Sequence, residues 1–383
     1  YKDAEVAQWL NRHFIPVKID RELEEALDAR MIDFVEKTRG RAGWPLNVFV
    51  TPEGYPLYAV FYMPRNEFLK LITELQALWQ KDTTGMMALA REEISEEKPL
   101  PSHQWNMDNA EQLTESLTYT ALESADPLHG GFGEQTKFPS TPQLDFLLDS
   151  YHRQASAQLK TFLLTTLDQM ATQGLRDHIG GGFFRYSTTP DWQTPHFEKM
   201  LYDNAQLARV YLRAAELLSR PDYSDVALDT LNFMQRELMV ANGAMVSSLS
   251  AIDDKNIEGG YYLWTREDLK DLLTNAEYNI VNSAWLSNSP AHFDAGYLPM
   301  WRGEMSPPAG LSAEERKLLE SARQKMLTKR QKVRRLPVDN KLLAGWNGLA
   351  LSAFSQAAEI FDEPGLTKTA DSICLLYTSP RPR

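Results

Sequence analysis

The segment from residue 177 to residue 207 concentrates side chains that could exchange protons with a bound molecule. His178 and His196 are the strongest acid–base candidates, because an imidazole titrates near neutral pH and can remove and return a proton. In a competing interpretation, both histidines only hold loops together through hydrogen bonds. The segment therefore predicts the rim of a pocket, with catalysis and loop structure as two open roles for the pair.

Carboxylates form the second group of catalytic candidates. Hydrolysis of a glycosidic bond needs two acids about 5–10 Å apart. The acids that could line the pocket are Asp177, Glu198, Asp203 and Asp339. On a single helix Glu198 and Asp203 would diverge by about 140°, so they would not face each other. Asp203 also fits a buried salt bridge to Lys199 or Arg185.

Aromatic and basic side chains complete the predicted ligand site. Aromatic rings could stack on a sugar, but they more often fill protein cores, and both roles stay open for Tyr186, Trp192, Tyr202, Trp264 and Trp346. The predicted polar and charged ligand-binding residues are Arg185, Lys199, Asp339 and Lys341. Lys137 and Lys341 fit a pocket or the surface equally well. No metal-ligand spacing and no phosphate loop occurs, so we expect neither a metal nor a cofactor.

Local sequence predicts how these side chains are held. The three glycines at 180–182 allow a tight backbone path. Thr194 is the predicted N-cap of a helix whose first residue is Pro195. His196, Lys199 and Asp203 would then lie about one turn apart on that helix.

Two later stretches, NAQLARVYLRAAELL and NGLALSAFSQAAEIF, align without a gap and begin at Asn204 and Asn347. They predict repeated helices, each with its asparagine as a structural cap. Glycine- and aromatic-rich loops near residues 129, 180, 259 and 339 separate the helical stretches. Repeated helical hairpins with such loops on one side indicate an all-α toroid of the (α/α)6 type over residues 105–370, with a central pocket.

Residues 1–82 alternate between helical and strand patterns, which favours an α/β thioredoxin-like domain. Predicted strands cover residues 15–19, 46–51 and 55–61, and Pro45 is the expected cis-proline. Residues 83–104 are charged and end in prolines, as is typical of a linker. The final stretch ICLLYTSPRPR departs from the helical pattern, so residues 371–383 are expected to be a non-native tail.

Bulk composition excludes several classes of partner. The net charge of −12 argues against nucleic acid, and no apolar run reaches the roughly 20 residues of a membrane span. One cysteine, Cys374, rules out an internal disulfide. Because the chain opens at Tyr1 rather than Met, we expect that its N-terminal part is missing. The compartment stays open, with the cytoplasm favoured over the periplasm.

Several motifs resemble one family along nearly the whole chain: NRHFIPVKIDRE, GWPLNVFVTPEG, GGFG with KFP, DHIGGGFFRYS, PHFEKMLYDNA, EGGYYLWT, and DNK with WNG. They are similar to the DUF255-type family named after spermatogenesis-associated protein 20. The resemblance implies a thioredoxin-like domain, followed by a toroid like that of N-acylglucosamine 2-epimerase and related glycan enzymes. It also implies a histidine pair acting beside a sugar carbonyl, although the residues do not match one by one.

The chain departs from the family pattern in ways that bear on function. The family's Cys-His-Trp-Cys type redox pair would precede Tyr1 and is absent, and family members continue well beyond residue 370. Phe184 and Asn340 stand where the family often has histidine and aspartate. We therefore expect an incomplete toroid and a redox-inert chain, with a redox partner only for an intact protein that carries the cysteine pair.

Three functions remain open at this point. The first is binding, with isomerisation or epimerisation, of a small sugar-like ligand. The second is recognition of a glycan or partner without chemistry, which gains if both histidines are bonded to backbone and sealed by Phe183 and Phe184. The third is glycoside hydrolysis by paired carboxylates.

Overall fold

A computed structural model describes residues 3–95, 107–286, 291–302 and 310–378. The chain divides into two compact units, residues 1–104 and residues 105–383. Each unit has its own set of helices and short strands. Among the described residues, no helix combines the length and apolarity required to cross a membrane.

Over its described residues, the first unit combines four helices with one β-hairpin. Its elements in chain order are α1 Ala4–His13, α2 Glu25–Arg39, β1 Asn47–Val50, β2 Pro56–Val60, α3 Arg65–Lys81 and α4 Thr83–Ser95. The strands pair antiparallel, with Asn47 opposite Val60, and the Trp44–Pro45 peptide is cis. Part of the predicted linker is thus helix α4, while residues 96–104 lie outside the described residues.

The strand predicted over residues 15–19 is wrong. This stretch has no strand partner in the described part of the unit, and Ile15 and Val17 are 92% and 69% exposed. An apolar pattern becomes a strand only where a neighbour accepts its backbone hydrogen bonds. The backbone hydrogen-bonding groups of β1 and β2 pair with each other instead.

The second unit is predominantly helical. Its helices are α5 Met107–Glu123, α6 Thr141–Arg153, α7 Ala157–Thr172, α8 Leu201–Leu217, α9 Asp222–Phe233, α10 Arg266–Leu272, α11 Asn275–Trp285, α12 Ala313–Val333, α13 Ala344–Phe361 and α14 Pro364–Thr378. Helix α8 packs against α6, α9 and α13, and α13 packs against α14. Their apolar faces form the largest buried core of the unit. Helix α14 continues to Thr378, so the departure from the helical pattern expected at ICLLYTSPRPR does not occur before that residue.

Short strands join the loops between these helices. They are β3 Tyr186–Ser187, β4 Pro195–His196, β5 Lys199–Met200, β6 Ser248–Leu249 and β7 Val338–Asp339. We call the connected segments loop 1 (124–140), loop 2 (173–200), loop 3 (239–265) and loop 4 (334–343). Backbone bridges link loop 1 to loop 2, loop 2 to loop 3, and loop 3 to loop 4. The four loops therefore lie side by side in chain order, as the toroid interpretation requires.

The helix predicted to begin at Thr194 and Pro195 starts later. Residues 195–196 and 199–200 are strands β4 and β5, and α8 begins at Leu201 with Met200 as its N-cap. Pairing with β3 and β6 takes up the backbone groups that a helix would have used. Consequently His196, Lys199 and Asp203 do not share one helix.

The repeated asparagines occupy equivalent places but do not cap their helices. Asn204 is the fourth residue of α8, and its amide bonds to both backbone groups of Phe183, at 2.7 and 3.0 Å. Asn347 is the fourth residue of α13 and bonds in the same way to Met245, at 2.8 and 2.9 Å. Both side chains are fully buried. Each asparagine therefore fastens a loop to its helix: Asn204 holds loop 2 against α8, and Asn347 holds the segment at Met245 against α13.

Candidate functional site

The lysine of loop 1 is enclosed by protein and is not a pocket cation. Lys137 is 0% exposed, and its Nζ donates to Asp126 Oδ2 at 2.5 Å and to the Gly130 carbonyl at 2.6 Å. Gly130 has a φ of +67°, and a Cβ there would lie 2.5 Å from Thr166 Cα, so only glycine fits. Loop 1 therefore folds around a buried lysine–aspartate pair.

Loop 2 contains the same arrangement. Lys199 is 0% exposed, and its Nζ donates to Asp177 Oδ2 and to the Gly181 carbonyl, both at 2.7 Å. Gly181 has a φ of +74°, close to that of its counterpart in loop 1. We call each aspartate–glycine–lysine set a lock. Asp177 was a predicted catalytic residue and Lys199 a predicted ligand-binding residue, and both roles need an open pocket. Both side chains are instead buried in the lock.

Arg330 of α12 adds a second cation to the lock of loop 2. Its Nη1 and Nη2 donate to the two oxygens of Asp177 at 3.1 and 2.8 Å, and its side chain is 0% exposed. Burial alone would raise the pKa of Asp177, but the charges of Arg330 and Lys199 hold it well below its usual range. Asp177 is therefore a permanently ionised structural carboxylate.

His178 faces the interior rather than a pocket. It is 6% exposed, and its Nε2 lies 3.3 Å from the carbonyl oxygen of Gln173. Burial, aided by the nearby charge of Arg176, lowers the pKa of His178 to about 3. The imidazole is therefore neutral at physiological pH, and the predicted pairing with His196 as two titrating histidines does not occur.

Two of the predicted stacking residues belong to the core. Trp192 is 0% exposed and donates from Nε1 to the His129 carbonyl at 2.9 Å. Trp264 is 1% exposed, with the Arg334 guanidinium 4.3 Å from its ring. The core interpretation is the right one for these two tryptophans.

The remaining loop 2 candidates gather where β3 and β4 pair. Their antiparallel register places Tyr186 opposite His196, and the two rings stack with centroids 5.0 Å apart. The backbone N–H of Arg185 donates to the Glu198 carbonyl at 2.9 Å, which extends the pairing by one step. Short strands therefore bring these four side chains to one half-buried surface.

His196 lies between two carboxylates. Its Nδ1 is 3.1 Å from Glu258 Oε1 of loop 3, and its Nε2 is 3.5 Å from Glu198 Oε2. Arg185 Nη1 donates to the same Glu198 oxygen at 2.9 Å. We call Arg185, Tyr186, His196, Glu198 and Glu258 the His196 cluster.

Contacts within the cluster shift the pKa values of His196 and Glu198 in opposite directions. The hydrogen bond to Glu198 raises the pKa of His196, against a smaller opposing effect of burial. The same bond, together with the charge of Arg185, lowers the pKa of Glu198. The contacts therefore favour the ionised form of Glu198 and the protonated form of His196 over their isolated counterparts.

Asp203 approaches this cluster from the first turn of α8. It is 8% exposed, and burial raises its pKa to about 8, although the charge of Arg185 opposes that rise. The neighbouring Tyr202 ring meets Trp346 edge-on with centroids 4.7 Å apart. Of the predicted partners of Asp203, Arg185 is therefore nearby, while Lys199 is committed to the lock.

Asp339 and Lys341 lie on loop 4 and pair with each other. The Nζ of Lys341 is 3.1 Å from Asp339 Oδ2, and Asp339 is 40% exposed at its side chain. Strand β7 sets Asp339 beside Ser248 of β6, which in turn pairs with Met200. The sheet therefore brings loop 4 alongside loop 2, next to the start of α8.

Two members of this region were missed in the sequence analysis. Glu258 is 62 positions from its partner His196, so no local pattern joins them. The repeated glycine pair at 259–260 was the available signal. Phe138, 49% exposed, stacks on Tyr186 with centroids 4.8 Å apart and continues the ring stack. Its KFP motif was noted without a role.

Two surface cavities lie away from the His196 cluster. One of about 540 Å³ lies between residues 235–243 and α14, and one of about 170 Å³ lies between loop 3 and Arg334. Neither is lined by members of the cluster. Within the described ranges, no group of three or more His, Cys, Asp or Glu residues could hold a metal ion.

Comparison with known proteins supports the fold and the family resemblance. Residues 1–97 match the family described as "Protein of unknown function, DUF255", a thioredoxin-like group. Spermatogenesis-associated protein 20 of Mus musculus is 31% identical over 93% of this chain and 50% of its own length. The Homo sapiens protein is 30% identical over 97% of this chain and 52% of its own length. The chain thus spans about half the length of the curated relatives it matches.

Solved structures whose backbone partly superposes on this chain include sugar enzymes. A family 76 glycoside hydrolase from a bovine Bacteroides thetaiotaomicron strain has a TM-score of 0.41 at 10% identity, covering 69% of this chain and 42% of that one. Cellobiose 2-epimerase from Spirochaeta thermophila has a TM-score of 0.32 at 14% identity, covering 71% and 86%. The predicted fold class and family resemblance are confirmed by the DUF255 match, the curated relatives and the helical hairpins of the second unit.

Proposed function

Starting from the similarity to spermatogenesis-associated protein 20, we propose that the second unit binds a sugar-like ligand and isomerises it by proton transfer. The observation that carries this proposal is the placement of His196 between Glu198 and Glu258, on a half-buried surface where loops 2 and 3 meet. Fold alone does not establish function, so the proposal rests on this geometry.

The cluster offers the parts that isomerisation of an aldose needs. A base must take the proton from the carbon next to the carbonyl group, and Glu198 or neutral His196 can do so. A cation must stabilise the oxygen that gains charge, and Arg185 is fixed 2.9 Å from Glu198 for that role. The stack of Phe138, Tyr186 and His196 supplies a flat apolar wall for a sugar ring.

Proton exchange with solvent tests the proposal without knowledge of the natural ligand. The protein is incubated in D2O with glucose, mannose, N-acetylglucosamine and cellobiose, and deuterium at C2 is followed by NMR. We expect exchange with at least one sugar, and a loss of about 100-fold in His196→Ala because a catalytic base or acid is removed.

The matched control is His152→Ala, which removes an exposed histidine of α6. It should exchange at the wild-type rate. Unchanged exchange in His196→Ala removes that residue from the chemistry, and absence of exchange in the wild-type protein rejects isomerisation.

Ligand recognition without chemistry is the second candidate. It is favoured by the burial of His178 and its contact with the Gln173 carbonyl, since only one histidine is then available for catalysis. Calorimetric binding of a sugar that exchanges no proton would identify this function. For hydrolysis by paired acids, Asp177 is not an available acid, because its carboxylate accepts hydrogen bonds from Lys199 and Arg330.

Thiol–disulfide chemistry by the first unit would require a cysteine pair. The sequence of the first unit contains no cysteine, because the single cysteine of the chain is Cys374. A thiolate is the nucleophile in thiol–disulfide exchange. The DUF255 region of this chain is accordingly expected to be inert toward disulfides.

A further inference from the structure

Glu258 of loop 3 reaches His196 of loop 2 from a backbone that is fixed on both sides. Its Oε1 lies 3.1 Å from His196 Nδ1, although the two residues are 62 positions apart. On one side, an antiparallel bridge joins Glu258 to Ile252. On the other side, Gly259 has a φ of +71°, and a Cβ there would lie 2.5 Å from Phe197 Cε2. The segment that carries Glu258 therefore packs directly against the residue that follows His196.

Two kinds of contact hold the imidazole of His196. Tyr186 stacks on its face, with centroids 5.0 Å apart and the ring planes inclined by 21°. A stacked neighbour fixes the plane of the ring but does not decide which nitrogen carries the proton. A carboxylate at one edge of the ring does decide it, because a carboxylate accepts only from a protonated nitrogen.

The carboxylates at the two edges of this ring are not equivalent. Glu198 Oε2 is 3.5 Å from His196 Nε2, and it also accepts from Arg185 Nη1 at 2.9 Å. Glu258 Oε1 lies closer to its own nitrogen, Nδ1, at 3.1 Å. A neutral imidazole has a single ring proton, and the shorter contact favours that proton on Nδ1. Nε2 then carries the free electron pair that a base needs.

We infer that Glu258 is a positioning residue, which keeps a proton on Nδ1 of His196 and leaves Nε2 as the nitrogen that exchanges a proton with the ligand. This inference rests on the proposed isomerisation, and it chooses His196 over Glu198 as the base. Glu258 needs no contact with the ligand for this role, because it acts through the imidazole.

The exchange conserves protons and electrons. Nε2 of His196 takes the proton from the carbon next to the carbonyl group, and the electron pair of that C–H bond shifts to the carbonyl oxygen, whose charge Arg185 stabilises. His196 is then an imidazolium whose Nδ1 proton still faces Glu258. In the reverse step, Nε2 returns a proton to carbon. In D2O it returns a deuteron instead, once the proton on Nε2 has exchanged with solvent.

The first experiment locates the ring proton without any ligand. In protein labelled with 15N at histidine, NMR at a pH above the titration of His196 distinguishes a protonated ring nitrogen from a bare one, and His196→Ala identifies the signals. We expect the proton of neutral His196 on Nδ1, and its loss from that nitrogen in Glu258→Ala. Glu267→Ala removes an exposed acid in the first turn of α10 and should leave the proton on Nδ1.

The second experiment measures exchange of the sugar that reacts fastest at C2. Glu258→Ala should lower kcat roughly 10- to 100-fold with little change in KM, because the base is no longer oriented. Glu267→Ala should match the wild type. The melting temperature of Glu258→Ala should stay within about 2 °C of the wild type, because the lost contact is half-exposed.

The pH profile gives a readout that a merely structural role would not move. The pKa of His196 is raised by its hydrogen bond to Glu198 and further by the charge of Glu258. Glu258→Ala removes the second contribution, so the rise of kcat with pH should move to lower pH. The variant leaves in place the other charged or titratable groups around this ring, which are Arg185, Tyr186 and Glu198.

The outcomes separate the two proposals. A proton on Nε2 of neutral His196 in the wild type, or one that stays on Nδ1 in Glu258→Ala, overturns the positioning role even if exchange is fast. An unchanged kcat and pH profile in Glu258→Ala overturns it as well. A wild-type protein that exchanges no proton rejects the proposed isomerisation, while the NMR result still shows whether Glu258 places the proton on Nδ1.

Discussion

Loops 1 and 2 each contain a lock of the same kind, but they differ in the chain segment between its aspartate and its lysine. Asp126 and Lys137 are 11 positions apart, whereas Asp177 and Lys199 are 22 apart. The additional residues of loop 2 form β3, β4 and the turn between them, and they carry four of the five members of the His196 cluster; the fifth, Glu258, comes from loop 3. The comparison teaches that the lock is a repeated scaffold and that the proposed function depends on the segment inserted within it.

The two locks also differ in their burial and charge. The carboxylate of loop 1 has one lysine partner and is 14% exposed, while that of loop 2 is 3% exposed and has both Lys199 and Arg330. A deeper carboxylate needs more compensating charge, because its desolvation is more complete. Loop 2 should accordingly be the more sensitive of the two to loss of a cation.

The largest effect is expected from Arg330→Met. This change leaves Asp177 buried with one cation and should lower the free energy of unfolding by about 3–5 kcal/mol. Urea denaturation followed by circular dichroism measures it. Arg153→Met, at an exposed position of α6, should stay within about 0.5 kcal/mol of the wild type. A loss below about 1 kcal/mol for Arg330→Met would mean that the second cation is dispensable.

A smaller effect is expected from Lys137→Met in loop 1. Asp126 then loses its lysine but keeps two backbone N–H donors and some contact with water, so the loss should be about 1–3 kcal/mol. Lys160→Met removes an exposed lysine of α7 and serves as the control in the same denaturation series. A loss as large as that of Arg330→Met would contradict the difference drawn between the two locks.

The smallest effect concerns His196, in the half-buried cluster where loops 2 and 3 meet. Because the pKa of His196 is raised above 6.5, its ion pairs stabilise the fold fully below that pH and lose this contribution as pH rises through the higher folded value. His196→Ala should therefore cost up to about 1 kcal/mol at low pH and almost nothing at high pH. Thermal unfolding of both proteins across that range measures the difference. A cost that grows with pH would have the wrong sign.

Much of the fold follows from local sequence. The helical stripes, the β-hairpin of the first unit and the equivalence of Asn204 and Asn347 are all visible in short patterns. The start of α8 is not. Thr194 and Pro195 satisfy the rules for a helix start, but Pro195 pairs with Ser187 in a short hairpin, and Lys199 and Met200 pair with β6 about 50 positions further along the chain.

The residue types of the site were predictable from the sequence. Which candidates are buried and which are half-exposed was not. Sequence placed Asp177, His178, His196 and Glu198 in one segment, yet it could not separate the buried pair from the half-buried one. That division depends on Arg330, which is 153 positions from Asp177, and on Glu258 in another loop. Contacts of such separation leave no periodic signal in a single sequence.

The separation of Asp177 from Arg330 also has a consequence for biosynthesis. A ribosome adding about 5–20 residues per second needs roughly 8–30 s to make the 153 residues between the two. During that interval Asp177 and Lys199 exist without the arginine, and the long-range pairing that closes loop 2 must wait. The nascent chain therefore passes through a stage in which loop 1 can be complete while loop 2 is not, and chaperones would meet the protein at that stage.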